Sequence, residues 1–380
     1  MILEGARVAL NANDTAAIDL FVEDGRLRFG SGGSAGPAVD LRGYMVLPGL
    51  INAHDHLEFN LFPRLGAGPY PNATAWARDI YRPGEPPVSE QLRIPKPVRL
   101  TWGGVKNLVA GAATVQHHNH YDAVFREGFP VKVVERYGWS HSPAFSRDVA
   151  GDWAATPPGA PFFIHASEGT DGAAAGEISR LHAAGVLGPS TVIVHGVALD
   201  RQGAALLKAT GTSLVWCPTS NLFTLGRTLS PDVLCSGVPI ALGTDSALTG
   251  FGDLIDEIAA ARRIVPAERV YAMVTSDAAR ILRLTRGEGT LRDGGVADLL
   301  IVRDERKRPA DALLGMRTEA VMVNGVVKLV SADCASRFPV RGLQSLEVEN
   351  RGRYLIECDV AGLMVSTGIA PRLAGRAVSA

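Results

Sequence analysis

Pro48-Gly49-Leu50-Ile51-Asn52-Ala53-His54-Asp55-His56 is a short, largely apolar run that ends in two histidines one residue apart. On a strand, side chains alternate between faces, so His54 and His56 project the same way. Two imidazoles side by side at a strand's C-terminal end make half of a metal site. That end is also where (β/α) barrels carry their active sites.

The same pattern recurs downstream. Buried-strand candidates are Leu50 to His54, Ala113 to His117, Val131 to Glu135, Phe162 to His165, Val192 to His195, Leu214 to Cys217 and Ile240 to Gly243. Helical stretches fall between them at Arg99 to Gly111, Ala175 to Gly185, Arg201 to Thr210 and Asp253 to Val265. Continuous apolar strands alternating with helices predict a parallel sheet covered on both faces. A span of roughly 250 residues fits a closed barrel better than two open sheets. Seven runs are visible, so an eighth strand is either hidden near Trp139 to Trp153 or missing.

The chain ends read differently. Arg7 to Leu10, Ile18 to Val22 and Leu27 to Phe29 are strand-like, with a hairpin signal at Glu23-Asp24-Gly25-Arg26, and Gly30 to Pro37 is a Gly/Ser loop. Val296 to Val302, Ala320 to Val323 and Val326 to Val330 follow the helical region, the last two joined by Asn324-Gly325, and Tyr354 to Cys358 can add a strand. The expected architecture is α/β. A (β/α)8 TIM-like barrel over residues 46–289 is inserted in a small β-sandwich domain built from both termini, 1–45 plus 290–380.

Composition excludes several classes. The chain has 380 residues, 46% hydrophobic and 20% charged, enough to bury a sizeable core. A formal charge of -1 gives no basic excess for nucleic acid or an anionic membrane. No run approaches the ~18 apolar residues of a membrane helix, and the first residues do not read as a signal peptide. Cys217, Cys235, Cys334 and Cys358 form no CxxC pair, which suits a reducing compartment. A cytoplasmic protein, acting on a small molecule and assembling as a homodimer, is the expectation.

The chemistry collects at the strand ends. His165, His195 and Asp245 each sit at or just past an apolar run, as His54 and His56 do. Any one of them could be a satisfied polar residue or a helix cap. Together they read as a metal site. Glu168, three residues after His165, is placed to act as acid/base for a water activated by a divalent ion. Ser220 and Asn221, in Trp216-Cys217-Pro218-Thr219-Ser220-Asn221, are candidates to bond a substrate. By strand parity only one of His117 and His118 points inward, and His118 is the favoured one, as a substrate-binding candidate. Trp76, in a long lid-like loop from Leu57 to Pro97, could pack on an aromatic substrate.

In the order P-G-L-I-N-A-H-D-H (48–56), H-A-S-E (165–168), V-H-G (194–196), W-C-P-T-S-N (216–221), G-T-D-S (243–246) and G-G-V-A-D-L-L-I-V (294–302), the chain resembles the amidohydrolase superfamily, in its cytosine deaminase and chlorohydrolase branch. The resemblance implies one divalent metal per chain, held by His54, His56, His165 and Asp245. It makes Glu168, His195 and Asp245 the catalytic residues. Glu168 would move protons, His195 would contact the water or the developing charge, and Asp245 would double as ligand and proton acceptor. Zinc is the favoured ion, with iron and manganese as alternatives. The expected activity is hydrolysis of a non-peptide C–N bond, by preference deamination of a small amino-heterocycle. The alternative is cyclic-amide hydrolysis, which in binuclear relatives uses a carboxylated lysine, here Lys132. A metal-free scaffold would lack a ligand, and none of the four positions is empty. Gly169-Thr170-Asp171-Gly172, directly after Glu168, departs from the commoner pattern of the branch.

Overall fold

The computed structural model describes residues 1–30, 36–250 and 252–367. The Gly/Ser loop lies largely outside these, as do the last thirteen residues of the expected terminal domain. Eight parallel strands form the centre: β1 (Leu50–Asp55), β2 (Ala112–His117), β3 (Lys132–Val133), β4 (Gly138–Ser140), β5 (Phe162–Ala166), β6 (Thr191–His195), β7 (Ser213–Trp216) and β8 (Ile240–Leu242). They pair as β3-β2-β1 and as β4-β5-β6-β7-β8. The two arcs meet where Asp55 bridges Asp245 in parallel. Among the described residues no ladder joins β3 to β4. The eighth strand is Gly138–Ser140, at the start of the segment near which it was expected. It pairs with β5 over three residues only.

Helices follow the strands with capped starts. Asp200 accepts from the Gly203 amide ahead of Arg201–Thr210, and Asp253 closes a capping box on Leu254–Arg262. The fully buried Phe162, Ile164, Ile193 and Leu214 pack with Leu207 of the former and Ile258 of the latter. Ile51, Ala53, Phe163, Val192, Val194, Val215 and Ala241 form a separate inner core. The two clusters show the alternation of strands buried on both faces.

The chain ends assemble together. One sheet is ordered Arg26–Phe29, Leu20–Glu23, Ile2–Glu4, Ala38–Asp40. A second, eight-stranded sheet places Tyr44–Pro48 between Arg7–Ala9 and Leu299–Arg303, so N- and C-terminal segments share one ladder. Leu3, Leu20, Leu27 and Val39 of the first sheet pack with Val46, Leu299, Ile301 and Met322 of the second. Both hairpin signals hold: Asp24 and Gly25 have φ of 47° and 73°, and Asn324 and Gly325 have 50° and 78°, the left-handed pair that a two-residue hairpin turn needs. Tyr44–Pro48 leads through Gly49 directly into β1.

Candidate metal-dependent active site

Each candidate ligand is placed by the end of a strand. β1 shifts register against β2 between Asn52 and Asp55. After that shift His54 and His56 turn to the site, while Asp55 turns back toward the helix Lys96–Val109. Gly243 makes the approach of β8 possible, because a Cβ there would lie 2.7 Å from the His54 Cβ. Thr244 and Asp245 donate their amides to the His54 carbonyl at 2.9 and 3.1 Å.

The four groups converge. Nε2 of His165 lies 3.3 Å from Nε2 of His54 and 3.3 Å from Nε2 of His56. Asp245 Oδ1 is 3.5 Å from His54 Nε2 and 3.7 Å from His56 Nε2. Four donors about 2.1 Å from a zinc ion in tetrahedral array stand roughly 3.4 Å apart, so this set has the spacing and the N3O chemistry of a divalent-metal site. Burial pushes all three imidazoles toward the neutral form that ligates metals. The His165 Nδ1–H donates to the His141 carbonyl at 2.6 Å, which leaves Nε2 free as the ligand atom. Burial pushes the Asp245 carboxyl up, but the His54 hydrogen bond and the His195 and His56 imidazoles outweigh it and hold it below the usual carboxylate range.

Glu168 and His195 stand beside this set. Glu168 Oε1 is 3.6 Å from His195 Nε2. Burial pushes the Glu168 carboxyl up to about 7, with His195 opposing. Alternation along β6 would put His195 on the side of Ile193, away from the inner core. A φ of 76° breaks that alternation and turns the ring to the site. Ser167 and Asp245 also have left-handed φ, 53° and 62°. Such residues cost of order 1–3 kcal/mol each and gather at functional sites.

A cavity of about 790 Å3 opens over the cluster, a size typical of small-molecule sites. His56, His165, Glu168, His195 and Asp245 form its floor, and Trp76, Tyr81 and Phe145 its upper wall. Trp76 donates its Nε1–H to the Leu65 carbonyl at 2.9 Å, so it offers the cavity an apolar surface.

The other expected substrate contacts are placed differently. Ser220 Oγ donates to Asp245 Oδ2 at 2.6 Å, and Asn221 Oδ1 accepts from His195 Nδ1 at 2.8 Å. Both are buried and neither lines the cavity; they hold Asp245 and His195 in place from the helix Pro218–Leu225. His118 also lies off the cavity. Its ring centroid is 4.0 Å from that of His165, and its Nε2 meets the Ser140 carbonyl at 3.2 Å. His117 faces the other way, 3.6 Å from Glu58. Lys132 is remote from the metal-ligand set. It pairs with Asp298 and, at 3.0 Å, with Glu288. Asp298 packs against Gly49, at the start of β1 and the opposite end from the site.

Several supporting residues escaped the sequence reading. Thr249 Oγ1 donates to Asp245 Oδ2 at 2.7 Å. Asp55 Oδ2 accepts from Asn107 at 2.7 Å and Thr244 at 3.0 Å, and Oδ1 accepts from Asn60 at 2.7 Å. Asn52 joins this buried network through Asn107 and Thr244, at 2.7 and 2.8 Å. It ties the His54–His56 strand to the Asp245 turn. The alternation of His-Asp-His was the available signal that Asp55 points behind the ligands.

Residues 155–328 match the model of the amidohydrolase family. A 5-methylthioadenosine/S-adenosylhomocysteine deaminase of Syntrophobacter fumaroxidans is 28% identical over 71% of this chain and 74% of its own length. An adenosine deaminase from Xanthomonas campestris, solved with bound zinc, has a TM-score of 0.69 at 17% identity, covering 97% of this chain and 96% of that one. A mutant of atrazine chlorohydrolase from Arthrobacter aurescens, complexed with zinc and atraton, has a TM-score of 0.71 at 17% identity, covering 97% of this chain and 99% of that one. At these identities the two structures share the fold.

Proposed function

We propose that this chain, which belongs to the amidohydrolase superfamily and is a hydrolase of C–N bonds, deaminates an amino-substituted heteroaromatic ring, with adenine nucleosides as the first candidates. The observation that carries the reading is the cluster of His54, His56, His165 and Asp245, three of which line one cavity with Glu168 and His195. One divalent ion, zinc by preference, would be held by those four residues and would supply Lewis-acid activation of water.

The chain's own residues do the rest. Glu168 takes the proton of the attacking water and hands it to the departing nitrogen. A carboxyl pushed up to about 7 can do both near neutral pH. His195 donates its Nδ1–H to Asn221, which fixes the ring with Nε2 turned to Glu168, 3.6 Å away. There Nε2 faces the oxygen that gains charge. Asp245 is fixed through Oδ2 by Ser220 and Thr249, leaving Oδ1 for the metal side. A C–O bond forms, the C–N bond breaks and ammonia leaves. Trp76 and Phe145 give the ring an apolar wall.

The same reading takes the two arcs as a (β/α)8 barrel over residues 46–289 and the terminal sheets as a β-sandwich domain, with a cytoplasmic homodimer as the working form. Among the described residues no helix is long and apolar enough to cross a membrane. The binuclear alternative is disfavoured by the ion pairs of Lys132 with Asp298 and Glu288.

The test is ammonia release from 5-methylthioadenosine, S-adenosylhomocysteine, cytosine and amino-triazines, beside ring opening of cyclic amides. Metal-dependent ammonia release from an amino-heterocycle is expected. Turnover of cyclic amides alone would replace this reading with its alternative.

A further inference from the structure

Gly169-Thr170-Asp171-Gly172, which directly follows Glu168, docks on the start of the helix Ala73–Ile80, whose Trp76 lines the cavity. The Ala73 amide donates to the Glu168 carbonyl at 3.0 Å, and the Thr170 amide to the Pro71 carbonyl at 2.8 Å. Asn72 and Gly169 pair as an antiparallel bridge between them. Gly169 is needed for this approach. A Cβ there would lie 2.8 Å from the Asn72 Cβ, 2.8 Å from the Pro71 carbonyl and 2.7 Å from the Ala174 Cβ.

The contact is completed by two helix caps. Asn72 Oδ1 accepts from the Ala75 amide at 2.8 Å and caps Ala73–Ile80. Asp171 Oδ1 accepts from the Ala174 amide at 3.0 Å and caps Gly172–Ala175. Each cap has one side-chain atom left, and those two meet: Asn72 Nδ2 donates to Asp171 Oδ2 at 2.6 Å. Capping alone needs no contact between the caps. The geometry spends the second atom of each on a link across 99 residues of sequence.

We propose that Asn72 and Asp171 are positioning residues, a latch that holds the cavity wall carrying Trp76 and the segment carrying Glu168 as one unit. The proposal rests on Glu168 being the proton-transfer group. The latch makes the position of the ring wall and the position of the acid/base depend on each other. A shift of about 1 Å in a reacting group can cost up to ~100-fold in rate.

Exchanging the two side chains tests this. Asn and Asp both cap helices well, so Asn72→Asp and Asp171→Asn each keep their cap and lose the link. The first sets two carboxylates together and the second two amides. The double variant Asn72→Asp/Asp171→Asn restores the link with donor and acceptor exchanged. Each single variant should raise amide hydrogen exchange in both segments, 73–80 and 168–171, and lower kcat/KM on 5-methylthioadenosine by about 10–100-fold with metal content unchanged. The double variant should restore protection in both and bring kcat/KM back to within about threefold of wild type. Increased exchange in only one segment, wild-type kcat/KM in the single variants, or a double variant no better than the singles would overturn the latch. Glu168→Gln is measured in parallel. If it stays fully active, the proton-transfer reading fails on its own, while the exchange data still decide whether the segments are joined; they decide it even if this nucleoside is not turned over.

Discussion

Glu168 Oε1 and His195 Nε2 face each other at 3.6 Å across the cavity floor, beside the three imidazoles that would hold a metal. In the proposed reaction the pair puts a proton carrier next to a group that stabilises negative charge. Burial pushes the carboxyl up to about 7. Removing its ionisation while keeping its shape isolates that role. Glu168→Gln should retain the metal and lose about 10²–10⁴-fold in kcat. Metal analysis with steady-state kinetics checks both; unchanged turnover would assign Glu168 a structural place only.

The same carboxyl makes a stability prediction for metal-free protein. Its folded pKa is raised from the ordinary 4.5 to about 7. A raised acid pKa contributes stability that is fully present below 4.5 and lost as pH rises through 7. Between pH 4.5 and 8 the apoprotein should therefore lose about 3 kcal/mol through this group. Glu168→Gln cannot ionise and should lack that part of the slope. Denaturant unfolding of both apoproteins at several pH values measures it, and parallel pH dependences would contradict the assigned burial.

His195 is turned to the site by a strained backbone and held by Asn221 at 2.8 Å, outside the metal-ligand group. His195→Asn should leave metal content unchanged and slow the chemical step by about 10²–10³-fold. Loss of metal in step with activity, with rescue by added zinc, would make it a ligand instead.

Lys132 separates a structural from a catalytic lysine. Its ammonium pairs with Asp298 and Glu288, both buried. Lys132→Ala strands those carboxylates and should cost about 3 kcal/mol of stability. Metal content and kcat should not change at temperatures where the variant is folded. A fall in metal from two equivalents to one, with loss of activity, would restore the carboxylated-lysine alternative.

Where sequence reading succeeded, the signal was local. Val192 to His195 and Phe162 to His165 are apolar runs with a polar end, and both strands lie there. Asn324-Gly325 names its own turn. Where reading fell short, the cause was long-range. Gly138-Trp139-Ser140 has no apolar run to mark it, because it is short and borders one neighbour only. Ser220 and Asn221 were legible as polar groups near the site. That Asp245 and His195 consume their hydrogen bonds is visible only once Pro218–Leu225 is seen to start below the site. Asn107 reaches Asp55 from a helix some fifty residues away. No spacing rule announces that contact.

The central claim is that His54, His56, His165 and Asp245 hold one catalytic divalent ion. Metal content per chain, measured by plasma mass spectrometry on wild type and His56→Ala after loosely held ions are removed, tests it directly. The account predicts one equivalent in wild type, with the variant losing most of it along with turnover. Two equivalents in wild type, or a His56→Ala protein that keeps both metal and activity, would contradict it.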